Sequence, residues 1–233
     1  MKNKVKRIFA FALAAITVLA VCSLASCAKP PELSEIKPTI EVLIENSRKV
    51  NHILFGEGLP IAYYEDKKDA EGNPVPVDTE YENYYLVDFR APYFDEEDEE
   101  TDGEEEDEEE KKKGNGFFMI EQIKAEAEKV YSPDYIRPLY DMFFTGHYDS
   151  DKGGVVRANY IDGENGILKL KTYEAYIKGE MRTFDYDSIV IIKPSTADFV
   201  TFTIDSYKDG EKLNIRLTIV KTENGWRLDS PTY

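Results

Sequence analysis

The residues that could do chemistry in this 233-residue chain are few. There are two histidines, His52 and His147, and two cysteines, Cys22 and Cys27. His52 falls on the polar side of an amphipathic stretch, and His147 follows a helix-ending glycine. Neither has a partner at motif spacing, so each reads as a surface residue and not as an acid–base catalyst. The sequence holds no Gly-x-Ser-x-Gly elbow, His-Glu-x-x-His pair, phosphate loop or dinucleotide fingerprint. Ser195, in "KPST", has no base near it in sequence. Carboxylates are too numerous for spacing alone to single out an acid–base pair. Asp185 and Asp187 flank Tyr186 in "FDYDS", and strand alternation would point both the same way. That arrangement could make a two-carboxylate acid–base pocket; the plainer reading is a solvated strand face. In "DEETDGEEEDEE", Asp98, Gly103 and Glu109 stand in register with positions one, six and twelve of a calcium loop. A tract this acidic matches almost any acidic template and has no clear flanking helix pair, so loose cation condensation is expected and not a shaped site. No cofactor and no metal site is expected.

Aromatic residues are the other conspicuous resource, with 16 tyrosines and 12 phenylalanines. Tyr63, Tyr64, Tyr81, Tyr84 and Tyr85 form a group large for core alone. Tyrosine rings with wet hydroxyls suit contact surfaces, so Tyr63, Tyr64, Tyr84 and Tyr85 are the candidate interaction surface. An aromatic-rich buried sheet face accounts for them equally well.

The N-terminus locates the protein. A basic "MKNKVKR" precedes the apolar run 8–21, which is too short for a comfortable membrane span and has the layout of a secretory signal over residues 1–26. The segment ends in "LASC", which resembles a bacterial lipobox. The resemblance implies cleavage before Cys27, a diacylglyceryl thioether on its sulfur, and a lipid anchor on the extracytoplasmic face of the cell membrane. Past Cys27 no cysteine remains, which removes disulfides, thiol nucleophiles and cysteine-ligated zinc from the mature chain. The formal net charge is −17, and loss of the signal's four cations takes it to about −21. Fourteen acidic residues lie in the sixteen positions 95–110. Nucleic acid is therefore an unsuited partner, and an anionic membrane surface repels this chain, so attachment must be covalent. A basic protein or a divalent cation is the better-matched attraction.

Residues 27–35 read as the lipidated cysteine and a proline-stiffened tether, and 36–233 as one α+β domain. Apolar positions Ile36, Ile40, Leu43, Val50 and Leu54 share a helical face over residues 36–55, with Ser47 as the polar interruption and Ser34 as the expected cap. Gly56 and Gly58 stop this helix. Short strands are expected near residues 61–64 and 81–94. A helix is expected from residue 118, with Ile120, Ile123, Ala127 and Val130 on one face. A further helix, capped by Ser132 with Pro133 at its first position, runs to Gly146 and kinks at Pro138. After Gly146 the hydrophobic period changes from helix to strand, and "KDGE" and "TENG" mark tight hairpins. Helices first and a strand meander after predict N-terminal and middle helices packed on a curved antiparallel sheet, as in cystatin-like and NTF2-like domains. The acidic tract, at about 95–115, is an insertion whose composition predicts disorder.

Three stretches carry a resemblance: "ILFGEGLPI", "AEKVYSPDYIRPLY" and the C-terminal "ENGWRLDSPTY". Together they resemble the DL-endopeptidase inhibitors, a family of small proteins that restrain bacterial cell-wall hydrolases. What the resemblance implies is a non-catalytic protein whose loops occupy the cleft of a basic cell-wall hydrolase. The acidic tract departs from that family's pattern. A ligand-binding module and a small enzyme using Asp185 or Asp187 remain the alternatives.

Overall fold

The computed structural model describes residues 29–81, 83–91, 116–149, 154–156, 158–163, 168–171 and 181–233. The expected signal, Cys27 and the acidic tract, including Asp98, Gly103 and Glu109, lie outside the described residues. The protein is α+β, with helices laid on antiparallel sheet.

Helix α1 spans Leu33–Leu54 and buries Ile36, Ile40, Leu43, Ile44, Ser47, Val50 and Asn51 along one stripe, the spacing set by its 3.6-residue period. It begins earlier than its apolar pattern suggests. Glu32, not Ser34, stands at the cap, and the Glu35 carboxylate accepts the Glu32 amide at 3.2 Å. Ser34 therefore lies inside the first turn and Pro38 in the second, where it has no N–H to offer the Ser34 carbonyl. At the other end Gly56 turns so tightly that a Cβ there would sit 2.9 Å from the His52 carbonyl oxygen. Only glycine fits that approach.

Helix α2, Ile120–Val130, buries Ile120, Ile123, Ala127 and Val130, the face its sequence predicts. Ser132 then caps α3, Pro133–Ile136, accepting the Tyr135 amide at 3.1 Å. The single kinked helix expected to Gly146 is instead three pieces. Pro138 cannot donate to the turn behind it, so α3 tightens to a 3-10 turn over Arg137–Leu139 and then widens to a π turn over Asp141–Thr145. Ile136 and Phe143 remain fully buried, while Leu139 and Tyr140 are half-buried.

Among the described residues the strands divide among four sheets. A ribbon pairs β1 (Tyr63–Lys68) with β2 (Pro74–Pro76). A three-stranded sheet has the order β3 (Tyr84–Leu86), β7 (Leu168–Lys171), β6 (Tyr160–Asp162). Strands β4 (His147–Asp149) and β5 (Gly154–Val156) form a second ribbon. The largest sheet is an unbroken meander of β8 (Thr183–Ile192), β9 (Phe199–Lys208), β10 (Glu211–Thr222) and β11 (Gly225–Leu228). Its β9–β10 hairpin closes through Asp209 and Gly210 at φ +52° and +79°, the mirror-image turn that matches strand twist.

Alternation along β9 and β10 sends Val200, Phe202, Ile204, Leu217 and Ile219 to one face, and all five are 1% exposed or less. Helix α1 covers this face from β8 to β11, and α2 lies beside it against β11. The core therefore sits between helices and sheet. Each such side chain contributes about 1.5–3 kcal/mol by leaving water.

Candidate interaction surface

The β1–β2 ribbon stands out from the body. Its root is fixed beside β3 by hydrogen bonds from Ala62 N to Leu86 O (2.8 Å) and from Leu86 N to Val77 O (3.3 Å). Its tip is fixed by Asp69, whose carboxylate accepts the amides of Glu71 and Asn73 at 3.0 and 2.7 Å and the Asn73 side chain at 3.1 Å. The Asn73 side chain, followed by these amides, holds the Asp69 pKa below the usual carboxylate value. Between root and tip almost every β1 side chain is exposed.

The four candidate tyrosines do not share this surface. Tyr63 is 52% exposed, and Tyr64 is half-buried with the Lys67 ammonium 3.5 Å above its ring. Tyr84 is core: it is 5% exposed and its hydroxyl donates to the Ala158 carbonyl. Tyr85, its neighbour on β3, faces the other way and is half-buried. Adjacent strand residues point to opposite faces, so Tyr84 cannot join Tyr85 on one surface. Tyr84 is withdrawn from the interaction surface; what remains on the ribbon is Tyr63 and Tyr64, one on each of its two faces.

Beside this sheet Lys169 is almost fully enclosed. Its ammonium pairs with Glu80 and lies 4.6 Å from the centre of the Tyr81 ring. The Lys169 hydrogen bond is the main reason the Glu80 pKa lies below its ordinary value.

Asp185 and Asp187 do not converge. Strand pairing steps from Asp185↔Asp205 to Val190↔Thr203, so β8 carries extra residues and alternation breaks there. The Asp185 carboxylate accepts the Asp187 amide at 3.1 Å, inside the bulge. Asp187 projects into solvent and pairs with Lys37 of α1 at 2.6 Å. That contact is the chief cause of a lowered Asp187 pKa and a raised Lys37 pKa. Such an arrangement suits an ion pair tying strand to helix and not proton transfer. Ser195 is structural too: its hydroxyl donates to Ile192 O at 2.6 Å and accepts from Thr201 N at 3.0 Å within the β8–β9 loop. His52 is half-buried and not freely on the surface, because the chain after α1 folds back over it. Gly58 N donates to its carbonyl at 3.0 Å. Desolvation lowers the His52 pKa, with Glu57 acting weakly against it. His147 opens β4 opposite Val156.

Two further features were not legible in the sequence. An open groove of about 560 Å³ runs between α2, the start of α3 and the β10–β11 turn. Arg137 grips Glu128 there through both carboxylate oxygens at 2.9 and 3.1 Å, and this holds the Glu128 pKa down. Arg227 is fixed in the same groove by the carbonyls of Glu128 and Trp226 at 2.9 and 2.7 Å. The second feature is a buried polar cluster on the core side of α1. Thr232 Oγ1 lies 2.7 Å from Ser47 Oγ, 2.8 Å from Asn51 Nδ2 and 2.9 Å from the Tyr131 hydroxyl, which itself donates to Asn51 Oδ1 at 2.7 Å. Ser47, the polar break in an apolar stripe, was the one signal of it.

Among the described residues no group of three or more histidine, cysteine or carboxylate side chains gathers where it could hold a metal ion. Among those residues, too, no helix is long and apolar enough to cross a membrane. No protein-family model, no curated protein and no solved structure matches this chain. The likeness to the DL-endopeptidase inhibitors thus rests on its three short motifs.

Proposed function

We propose that this chain is a lipid-anchored, extracytoplasmic binding protein that works by surface contact and not by catalysis, and that its partner is a basic cell-wall DL-endopeptidase. The observation that carries the reading is the filled face of the large sheet. Where a cup-shaped α+β enzyme would hold substrate, Phe202, Ile204, Leu217 and Ile219 are sealed beneath α1. What faces solvent instead is a projecting ribbon with a pinned tip and two tyrosines. Ordered, protruding backbone of this kind loses little entropy on docking, which favours tight binding. The chain's negative charge would speed encounter with a cationic hydrolase and make that encounter salt-sensitive.

The test is inhibition of stem-peptide cleavage by a purified DL-endopeptidase. The wild-type chain should slow the hydrolase, and the double substitution Tyr63→Ala, Tyr64→Ala should weaken inhibition about ten-fold or more, as loss of aromatic anchors does. Undiminished cleavage at saturating wild-type chain rejects the reading.

The open groove beside Arg137 and Arg227 favours a second reading, a small-ligand module. Its volume of about 560 Å³ suits a ligand of drug-like size. Binding of a soluble peptidoglycan fragment that is lost in Arg227→Gln, with no effect on any hydrolase, would select this reading over the first.

A further inference from the structure

We propose that Phe89, Phe118 and Met119 form a docking patch for a cationic polypeptide surface that presents an apolar side chain among its lysines or arginines. The proposal rests on the reading of this chain as a binding protein and names one place of contact.

The three side chains are 43%, 42% and 45% exposed, although each is large and apolar. They come from two segments distant in sequence; the fold brings the two phenylalanine rings together, and Met119 follows Phe118 directly in the chain. The rings of Phe89 and Phe118 lie 4.8 Å apart at a 39° tilt. Both segments are held in place. The Gln122 side-chain oxygen accepts the amides of Phe118 and Met119 at 2.7 and 2.9 Å. On the other side the Asp88 carboxylate accepts the Arg90 amide at 3.0 Å, while the Asp88 amide donates to Pro60 O at 2.9 Å. Next to the exposed residues, Val87 and Phe117 are 4% and 5% exposed and root the patch in the core. Single exposed apolar residues are ordinary; an exposed pair of rings in contact on pinned backbone, with a third exposed apolar residue next in the chain, is the kind of feature that marks a contact site.

Charge selects the occupant. The chain between the two rings carries fourteen acidic residues at 95–110 and three lysines at 111–113. Whatever docks on this chain meets its net negative charge. A second copy of this chain, at a formal −17, is repelled, and so is an anionic lipid surface. A cationic partner is drawn in, and the aromatic patch gives its apolar side chain a place to leave water. Electrostatics then sets the rate of encounter and the patch sets the lifetime of the complex.

The test uses the full chain and two synthetic peptides of equal positive charge, each about four helical turns long, one of lysine and leucine, the other of lysine and glutamine. Affinities are measured at about 0.05 M and 0.3 M salt. The lysine–leucine peptide should bind about ten-fold more tightly than its polar counterpart. The triple substitution Phe89→Ser, Phe118→Ser, Met119→Gln should erase that ratio while leaving the lysine–glutamine affinity unchanged. Because the replaced side chains are exposed, the melting temperature should hold. Met119→Lys alone, which places a like charge in the patch, should also lower the ratio. An equal ratio in wild type and variants overturns the proposal. So does a dimer, or binding to anionic vesicles, that disappears with the patch, since either would put a different occupant there. Failure to inhibit an endopeptidase leaves the peptide ratio untouched, so the two readings fail separately.

Discussion

The rings of Phe89 and Phe118 meet at 4.8 Å although the whole acidic tract lies between them in sequence. The described residues on either side of positions 92–115 therefore lie next to each other, which is what an insertion requires. Deleting residues 95–110 shortens the connection from roughly 28 residues to roughly 12, worth about 0.7 kcal/mol of closure entropy. It also removes fourteen like charges. The deletion should keep the far-UV spectrum and leave stability to urea equal or slightly higher. A loss of more than about 2 kcal/mol would mean that the tract makes folding contacts of its own.

His52 should make the protein less stable in mild acid. Its folded-state pKa is pushed below 6.5 by burial, so below pH 6.5 the unfolded chain takes up a proton that the folded chain resists. Stability from this group is complete above pH 6.5 and is lost as the pH falls through the folded value. His52→Gln removes that dependence. Melting curves of wild type and variant between pH 7.5 and 5 should diverge toward the acid end, the variant falling less. Parallel curves would place His52 in water.

The helices were legible because burial follows a 3.6-residue period: the buried side chains of α2 are the four that share a face in its sequence. Period two was less informative. It cannot say which of Tyr84 and Tyr85 faces inward, since a one-residue change of parity exchanges them. It also failed at Asp185 and Asp187, where a bulge breaks the alternation that would have aligned them. Ser47 was visible as an anomaly, but its partner Thr232 lies 185 residues away, and nothing local links the two. The exposed Phe89–Phe118 pair is likewise a product of chain closure and has no local pattern.

Lys169 and Glu80 form an asymmetric pair: the lysine side chain is 5% exposed and the glutamate 56%. Replacing the carboxylate with a neutral amide leaves an enclosed ammonium without its counter-charge, so Glu80→Gln should destabilise the fold. Lys169→Met removes the charge that needs a partner and should cost less. Combining the two should recover most of the loss from Glu80→Gln. A double-mutant cycle by urea unfolding measures the coupling; strict additivity would show that the pair contributes nothing jointly.

Thr232 is the hub of the buried cluster, and its hydroxyl proton is contested. Ser47 donates to Ile44 O at 2.6 Å and Tyr131 donates to Asn51 Oδ1 at 2.7 Å, so both have spent their only proton. The single Thr232 proton must then serve the oxygens of Ser47 and Tyr131, while its own oxygen accepts from Asn51. Thr232→Val keeps the shape but strands these groups away from water, which should cost about 1–3 kcal/mol. The same cluster predicts an alkaline transition. Burial pushes the Tyr131 pKa up from 10.0 to about 12, with the bonds from Thr232 and Asn51 opposing it. Above pH 10 the unfolded chain loses this proton and the folded chain keeps it. The stabilisation is therefore full below pH 10 and is lost as the pH rises through about 12. Tyr131→Phe should be less stable than wild type at pH 8, because Asn51 loses its donor, yet should lose less further stability between pH 10 and 12. Wild-type and variant urea midpoints that fall in parallel over that range would show that Tyr131 titrates as it does in the unfolded chain.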